Sequence, residues 1–260
     1  MKILLYNIDH GGRSGNDPKG RWPILAQVIN DINADIVVLL EAWTWQADDH
    51  LAKFSQITNY PYRFLSPSNT KHCLGLLSKI KPNRTDSLNQ NMHHSILKAE
   101  FPFENQNFTI IGIHLSPGAE NQRLAEIKKI ITLAKQENNP IVIGDFNSLS
   151  PEDEYDEKEL LAILKQKKIT KFGDTPLKWT VITAMLNAGF IDIGKKYAQL
   201  PIEYSVPTES NTDIDHFTKI RLDYAFTTRE FEKQIVDTKI LRDEITEQAS
   251  DHFPLLLTLK

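Results

Sequence analysis

The amino-acid sequence predicts a single α/β domain spanning residues 1–260, and three observations support this prediction. Short, wholly apolar runs such as 36–40 and 141–143 are typical of strands that are buried on both faces of a sheet. Segments with helical periodicity, such as 22–33 and 120–136, lie between such runs. A chain of 260 residues with 40% hydrophobic residues can bury one large core, and no repeat or interdomain linker is evident in the sequence.

The first half of the chain alternates between apolar strands and amphipathic helices. The predicted elements are strand 2–6, helix 22–33, strand 36–40, a helix ending near residue 56, strands 61–65 and 72–77, a polar loop 79–91, and strands 94–101 and 107–113. The last two strands are expected to pair as a hairpin. Trp43 and Trp45 precede the second helix, and we expect them in its aromatic core, although flanking a ligand pocket is the alternative.

The second half is organised around the stretch 141–148, which reads IVIGDFNS. It begins as a buried strand, turns at Gly144 and then presents Asp145 and Asn147. Side chains in this position leave the sheet at its carboxyl edge, where α/β folds commonly carry their chemistry. A strand followed by an Asx-type turn is the alternative explanation.

The elements around this stretch follow from the same patterns. They are helix 120–136, a helix running from the acidic segment 151–159 to about residue 165, helix 179–188, and strands 220–227, 235–241 and 255–259. Residues 199–219 are polar and contain two prolines, so we expect a functional surface loop there. The lysine-rich segment 165–171 is the best basic patch in the chain, although a solvated loop is its commoner explanation.

Polar side chains accompany the ends of several predicted strands. They are Asn7, Glu41, His114, Asp145, Asn147, Asp223, Asp251 and His252. If the carboxylates converge, two of them at about 4 Å repel by roughly 4 kcal/mol at an effective dielectric constant near 20. Such a group needs a cation, a protonated member or a histidine partner. Carboxylate and carboxamide oxygens favour Mg²⁺ or Mn²⁺ over zinc.

Two arginines are candidate substrate contacts. Arg13 lies in the glycine-rich loop 9–15, whose backbone N–H groups could cradle a phosphate, although the loop lacks Walker spacing and an ordinary flexible loop is the alternative. Arg123 lies on the predicted helix 120–136, within about three turns of His114 along the chain, and could reach the same edge of the sheet.

Composition and charge narrow the classes of protein. A net charge of −4 argues against a broad, non-specific nucleic-acid surface, though a local basic patch is compatible with it. The single cysteine, Cys73, allows no internal disulfide and fits a reducing compartment. The N-terminus does not resemble a targeting segment, and no apolar run approaches the length of a membrane span. We therefore expect a cytoplasmic protein, a monomer without an obligate protein partner.

The polar strand ends resemble motifs of the endonuclease/exonuclease/phosphatase superfamily, to which pancreatic deoxyribonuclease and exonuclease III belong. In the order of that family the motifs are Tyr6-Asn7, Leu40-Glu41, Gly112-Ile113-His114-Leu115, Gly144-Asp145-Phe146-Asn147, Arg221-Leu222-Asp223-Tyr224 and Ser250-Asp251-His252. The resemblance implies a DNase I-like fold, a four-layer α/β sandwich of two central mixed β-sheets flanked by helices, with the site at one end.

The resemblance also implies a role for each residue. Glu41 is similar to the principal Mg²⁺ ligand of the family, with Asn7 and Asp251 close to the metal. Asp145 corresponds to the group that orients or deprotonates the attacking water, and Asn147 to a phosphate contact. His252, held by Asp223, resembles the base or transition-state stabiliser, and His114 would stabilise the phosphoryl oxygens or protonate the leaving oxygen.

The implied activity is Mg²⁺- or Mn²⁺-dependent hydrolysis of a phosphodiester in nucleic acid, a small molecule or a lipid headgroup. His114 stands where the apurinic-endonuclease branch carries tyrosine, and the segment after Asn7 lacks the Gly-Ile-Arg turn of that branch. We therefore do not expect an apurinic endonuclease of the exonuclease III branch. The alternatives are such an abasic-site repair nuclease after all, or a catalytically inactive binding module of the same fold.

Overall fold

The computed structural model describes residues 1–47, 49–173 and 176–260. Within these residues the strands are β1 (Lys2–Asn7), β2 (Ile36–Trp43), β3 (Tyr62–Ser66), β4 (His72–Ser78), β5 (Arg84–Leu88), β6 (Ile96–Phe103), β7 (Gln106–His114), β8 (Pro140–Asp145), β9 (Ile191–Asp192), β10 (Asp223–Thr227), β11 (Ile235–Ile240) and β12 (Leu255–Leu259). The helices are α1 (Asp9–Gly12), α2 (Trp22–Ile32), α3 (His50–Ile57), α4 (Glu120–Ala134), α5 (Glu157–Lys167), α6 (Thr180–Asn187), α7 (Ile193–Lys196), α8 (Arg229–Glu232) and α9 (Glu244–Ala249).

The described strands form two six-stranded mixed sheets. The first has the order β11-β12-β1-β2-β4-β3, and the second has the order β5-β6-β7-β8-β10-β9. In each sheet one central pair is parallel, β1 with β2 and β7 with β8, and the remaining pairs are antiparallel. The predicted four-layer α/β sandwich is therefore confirmed.

Alternation along the strands creates the layers. In β1, Ile3 and Leu5 belong to the core between the two sheets, together with Ile141 and Ile143 of β8. Leu4, by contrast, packs among residues of the helices that cover the first sheet. Because successive side chains of a strand point to opposite faces, each central strand contributes to two cores, and both of its faces are dry. This explains why the central strands read as continuous apolar runs.

The parallel pairs deliver polar residues to one edge of each sheet. Asn7 is the neighbour of Leu40, the residue before Glu41 in β2, and His114 is the neighbour of Asp145 at the end of β8. Asp223 lies opposite Asp145 on the antiparallel strand β10. Register alone thus brings side chains from distant parts of the chain together.

Two strand predictions needed correction. Residues 79–91 do not form only a loop, because 84–88 form β5, an edge strand whose polar sequence RTDSL carries no apolar alternation to reveal it. Glu41 does not end its strand either. Strand β2 continues to Trp43, and its register against β4 shifts between Leu39 and Ala42, with Glu41 at a left-handed φ of 58°. This β-bulge redirects the Glu41 side chain.

The short elements were not predicted from periodicity. The loop 9–15 contains the helical turn α1, and α7, α8, α9 and β9 each have six residues or fewer. The polar segment 199–219 carries no named strand or helix, as expected. Within the described part of the chain, no helix combines the length and apolar character needed to cross a membrane.

Gly144 provides a test of how tightly the central strands pack. A Cβ atom at this position would lie 1.9 Å from the backbone oxygen of Ile113 on β7. We expect Gly144→Ala to lower the free energy of unfolding by about 1–3 kcal/mol, because a backbone atom cannot move aside as a side chain can. Urea unfolding measures this change. Gly75→Ala is the matched control, since a Cβ at that buried strand position meets its nearest atom at an ordinary 3.4 Å. Equal losses in the two variants would contradict the prediction.

Candidate active site

One cleft gathers polar side chains from both sheets. It has a volume of about 450 Å³ and is lined by residues from the ends of β2, β7 and β8 and from the segments at the start of β4, β6 and β12. The cleft therefore lies at the edge that the strand ends predict. Its lining includes Glu41, His114, Asp145, Asn147 and His252, five of the residues identified from the sequence.

Asn7 and Glu41 form the corner that belongs to the first sheet. Asn7 is 1% exposed, and its Nδ2 donates to Glu41 Oε1 at 3.2 Å. Its Oδ1 accepts the backbone N–H of Asp9 at 3.1 Å. The second carboxylate oxygen of Glu41, Oε2, accepts the backbone N–H of His10 at 3.2 Å. The bulge at Glu41 and the turn after β1 thus hold this carboxylate from two sides.

His114 and Asp145 form the corner that belongs to the second sheet. The His114 Nε2 atom lies 3.4 Å from Asp145 Oδ2, and both side chains are buried. Asp145 Oδ1 accepts the backbone N–H of Asn147 at 2.7 Å, and Asn147 Nδ2 donates to the carbonyl oxygen of Leu115 at 2.9 Å. Asn147 has a left-handed φ of 50°, which asparagine tolerates better than most residues. The turn after β8 therefore fixes the carboxylate and the carboxamide relative to one another.

Asp223 and the segment before β12 complete the cleft. The Nδ1 atom of His252 lies 2.7 Å from Asp223 Oδ2, and both residues are buried. This bond leaves Nε2 as the nitrogen of His252 that can meet a ligand. Ser250 Oγ donates to the carbonyl oxygen of Asn7 at 2.7 Å, so Asp251 and His252 are held beside the end of β1.

Negative charge accumulates at the first corner. Burial raises the pKa of Asp251 to about 7, and Asp9 and Glu41 add to this effect while His252 opposes it. At Glu41 burial also disfavours the charged form, yet nearby histidines, with His114 first, outweigh it and lower the pKa of the carboxyl. Asp9 and Glu41 thus disfavour the ionisation of Asp251, which depends on positive charge nearby.

Positive and negative groups are paired at the second corner. Burial disfavours the charged form of Asp145, but the hydrogen bond to His114 and the charges of His114 and His252 lower the pKa of Asp145. Burial likewise disfavours a charged His252, but Asp223, followed by Asp251 and Asp145, raises the pKa of His252 to about 10. The two histidines and two aspartates therefore stabilise one another's charges.

Histidines dominate the cleft to an extent that the sequence analysis missed. Seven of the eight histidines of the chain line it, and the five that were missed are His10, His72, His93, His94 and His216. His94 stacks on His114 with ring centroids 4.4 Å apart, and burial lowers the pKa of His94. A neutral aromatic ring thus backs the His114 imidazole.

Arg123 does not face the cleft. It is 0% exposed, and its guanidinium donates to Ser148 Oγ at 3.0 Å, Glu120 Oε2 at 2.9 Å and the carbonyl oxygen of Lys171 at 2.7 Å, as well as to the carbonyl oxygens of Ser116 and Gly118. The expectation of a substrate contact is corrected accordingly. Arg123 joins the loop before α4 and the segment after α5 to the turn after β8.

Arg13 and Trp43 lie at the rim on the first-sheet side. Trp43 lines the cleft, so its prediction as a core residue is wrong, whereas Trp45 is 2% exposed and lies in the core as expected. The guanidinium carbon of Arg13 lies 4.7 Å from the centre of a Trp43 ring, and Arg13 Nε donates to the carbonyl oxygen of Gly15. Arg13 therefore sits against a wall of the cleft.

Two groups of described residues bring metal-ligating atoms together. They are His10, Glu41 and His72, and His216, Asp251 and His252. Within each group one potential ligand atom from each residue lies within 4.8 Å of the others. Glu41 and Asp251 were predicted metal ligands, whereas the histidines beside them, apart from His252, were not singled out.

Comparisons with solved structures find the same fold in several proteins. A 3′ phosphatase from Neisseria bound to a product DNA hairpin has a TM-score of 0.74 and 16% identity, covering 100% of this chain and 99% of that chain. An AP endonuclease from Archaeoglobus fulgidus has a TM-score of 0.72 and 16% identity, with coverage of 100% and 99%. An endonuclease/exonuclease/phosphatase family protein from Leptotrichia buccalis C-1013-b has a TM-score of 0.70 and 18% identity, with the same coverage.

A search of curated proteins gave no match. The model of the Endonuclease/Exonuclease/phosphatase family, in contrast, matches residues 4–252, which include every polar strand end described above. With this match, the two-sheet sandwich and the clustered motif residues, the chain belongs to the endonuclease/exonuclease/phosphatase family.

Proposed function

We propose that this protein is a metal-dependent hydrolase that cleaves phosphodiester bonds. The observation that carries the proposal is the electrostatic coupling of Asp9, Glu41 and Asp251 beside a cleft that is lined by Glu41 and by histidines. Carboxylates alone would repel the negatively charged phosphate of a substrate. These side chains could therefore bind a phosphate only if a cation is bound between them and the phosphate. A catalytically inactive binding module would not need these buried charges.

The first corner fits a divalent metal ion. Asn7, Glu41 and Asp251 would hold it. Burial raises the pKa of Asp251, and the charges of Asp9 and Glu41 add to this effect, so a bound cation would favour the ionised carboxylate. Mg²⁺ and Mn²⁺ accept such oxygen ligands and, when bound, supply positive charge for the phosphate oxygens.

The second corner suits the handling of water and of the leaving group. Asp145 would orient or deprotonate the attacking water through the oxygen that faces His114, since its other oxygen is held by the backbone of Asn147. His252 would present Nε2 to the phosphate while Asp223 fixes Nδ1. His114 would stabilise the phosphoryl oxygens or protonate the leaving oxygen, and Asn147 would contact the phosphate.

A basic groove beside the cleft favours nucleic acid as the substrate. The groove has a volume of about 590 Å³, and it shares Pro117 and Lys171 with the cleft. Its charged lining consists of four lysines, Lys167, Lys168, Lys171 and Lys178, and two carboxylates, Glu120 and Asp215, so lysines are in excess. A groove of this kind, continuous with a phosphate site, would suit the further phosphates of a single strand. The net charge of −4 argues against a broad nucleic-acid surface, but it is compatible with a local basic groove of this kind.

The remaining alternatives concern the branch of the family. Abasic-site cleavage is not favoured, because His114 replaces the tyrosine that is expected of that branch, and it is stacked on His94. A small-molecule or lipid phosphodiesterase would need the cleft but not the lysine groove. The effect of the groove lysines on activity toward long and short substrates distinguishes it from a nuclease.

Removal of the metal should abolish activity. We expect EDTA to eliminate cleavage of DNA or of bis-nitrophenyl phosphate, and added Mg²⁺ or Mn²⁺ to restore it. Glu41→Gln should reduce kcat/KM by at least about 10²-fold, since a neutral amide binds the cation more weakly. Glu137→Gln is a suitable control, because Glu137 is buried to a similar degree (18% exposed against 17%) but does not line the cleft. Full activity in chelator would rule out the proposal.

Asp145 and His252 should act as one unit. We expect Asp145→Asn and His252→Gln each to lower kcat by about 10³-fold or more, with folding checked by circular dichroism. The double variant should be within about tenfold of the worse single variant, because removing either member already disables the shared step. Losses that multiply in the double variant would show that the two residues serve separate steps.

The lysine groove should matter only for a long substrate. We expect Lys167→Gln with Lys168→Gln to lower kcat/KM on a single-stranded oligonucleotide and to reduce the slope of log(kcat/KM) against log[salt] by about 1 to 2. The same variant should hydrolyse bis-nitrophenyl phosphate normally. The control is Lys128→Gln with Lys135→Gln, two exposed lysines of α4 and its C-terminal end. An unchanged salt dependence would favour a small substrate instead.

A further inference from the structure

The histidines at the first corner create an arrangement that the oxygen ligands alone do not. One potential ligand atom each from His10, Glu41 and His72 lies within 4.8 Å of the others, a set called here the two-histidine cluster. The His10 ring lies beside Glu41, with Nδ1 3.7 Å from Glu41 Oε2, and because Nδ1 is bonded to Asp9 Oδ1, Nε2 is the nitrogen that would meet an ion. Ligand atoms gathered this closely could surround one ion at about 2.0–2.2 Å from each.

His72 presents a nitrogen that has no partner. Its Nε2 atom is buried and has no hydrogen-bond partner among the described residues. His72 opens β4 directly opposite Trp43, and its ring packs edge-on against the rings of His10 (5.1 Å) and His94 (5.6 Å). A buried polar atom without a partner is costly, and it calls for an explanation such as a missing ion.

The backbone around His10 has an unfavourable left-handed conformation, which the surrounding contacts maintain. Asp9 and His10 both have left-handed φ angles, 42° and 51°, which are uncommon for residues with side chains. The next residue, Gly11, has φ 71°, and a Cβ there would lie 2.7 Å from the Trp45 indole nitrogen. Arg21 binds both the carbonyl oxygen and the carboxylate of Asp9, at 2.6 and 2.7 Å.

Asp9 also orients the His10 ring. The Nδ1 atom of His10 lies 2.6 Å from Asp9 Oδ1, the carboxylate–histidine pairing that commonly fixes the ring of a metal-ligating histidine. The strained turn, the Arg21 anchor and this hydrogen bond together place one imidazole beside Glu41 before any ligand arrives. His10 is pre-organised, although its side chain is 55% exposed.

We propose that the two-histidine cluster binds a first-row transition metal ion, of the Mn²⁺, Co²⁺ or Zn²⁺ class, in preference to Mg²⁺. Two imidazole nitrogens and one carboxylate oxygen form a ligand set that suits these ions, whereas Mg²⁺ favours oxygen ligands and water. This inference rests on the proposed function in one respect, because Glu41 is also one of the three residues proposed to hold the hydrolytic ion.

Metal binding to the full-length protein, without substrate, tests the proposal. Protein freed of metal with EDTA and dialysed is titrated by calorimetry with Co²⁺, Mn²⁺ or Mg²⁺, and the visible absorption of Co²⁺ reports nitrogen ligation. We expect Co²⁺ and Mn²⁺ to bind at least tenfold more tightly than Mg²⁺. His72→Phe, which keeps an aromatic ring but removes the nitrogens, should weaken Co²⁺ binding at least tenfold and change its spectrum while leaving Mg²⁺ affinity within twofold.

Two further variants keep the test interpretable. His93→Phe makes the same substitution at a cleft histidine outside the cluster, and it should leave Co²⁺ affinity and spectrum unchanged. His10→Asn tests the second imidazole at a half-exposed position, where asparagine tolerates the left-handed backbone, so it serves if His72→Phe does not fold. It should also weaken Co²⁺ binding at least tenfold.

Particular outcomes would overturn the inference. They are equal affinities for Mg²⁺ and Co²⁺, or Co²⁺ binding that is insensitive to both cluster variants. Failure of the proposed function appears differently, as tight metal binding without hydrolysis of any phosphodiester. Conversely, Mg²⁺-supported hydrolysis by a protein that binds Co²⁺ no better than Mg²⁺ would remove this inference and leave the proposed function standing.

Discussion

The burial of like charges at one end of the two sheets is the constraint on which the rest of the structure depends. Asp9, Glu41 and Asp251 disfavour one another's ionisation, and burial strengthens the effect. The chain compensates with histidines and with hydrogen bonds that hold each carboxylate in a fixed direction. The strained turn after β1 and the bulge in β2 serve the same end. They cost backbone free energy, and packing around Gly11 and the Arg21 anchor maintains them.

Much of the fold could be predicted because the central strands are dry on both faces. Such strands read as uninterrupted apolar runs, and their order along the chain indicated an α/β architecture; the resemblance to a known family then supplied the four layers. Strand β5 was not predicted because an edge strand buries little apolar surface, and its sequence RTDSL has no alternation of apolar residues. The short elements α7 to α9 escaped because four to six residues are too few for a helical period to be recognised.

Site residues that follow a buried strand could be identified from the sequence, whereas site residues at the start of a strand could not. Asn7, His114 and Asp145 follow apolar runs, which marks them. His72, His93 and His94 reach the same cleft because β4 and β6 run antiparallel to β2 and β7, so their starts lie beside the ends of those strands. A histidine directly before an antiparallel strand was the available signal, together with a hairpin prediction that was correct. Arg123 was misjudged because sequence distance from His114 does not reveal which way a helix side chain points.

The bulge at Glu41 affects how sequences of this type can change over time. In a regular strand, any residue of the run could be exchanged for another of similar size without moving its neighbours. In β2 the alternation of side chains between the two faces of the sheet is offset at Glu41, because the register against β4 shifts between Leu39 and Ala42. Gain or loss of one residue in this interval would turn the carboxylate toward the opposite face of the sheet. Lineages that keep the carboxylate in the cleft should therefore accumulate point substitutions in this segment while its length stays constant.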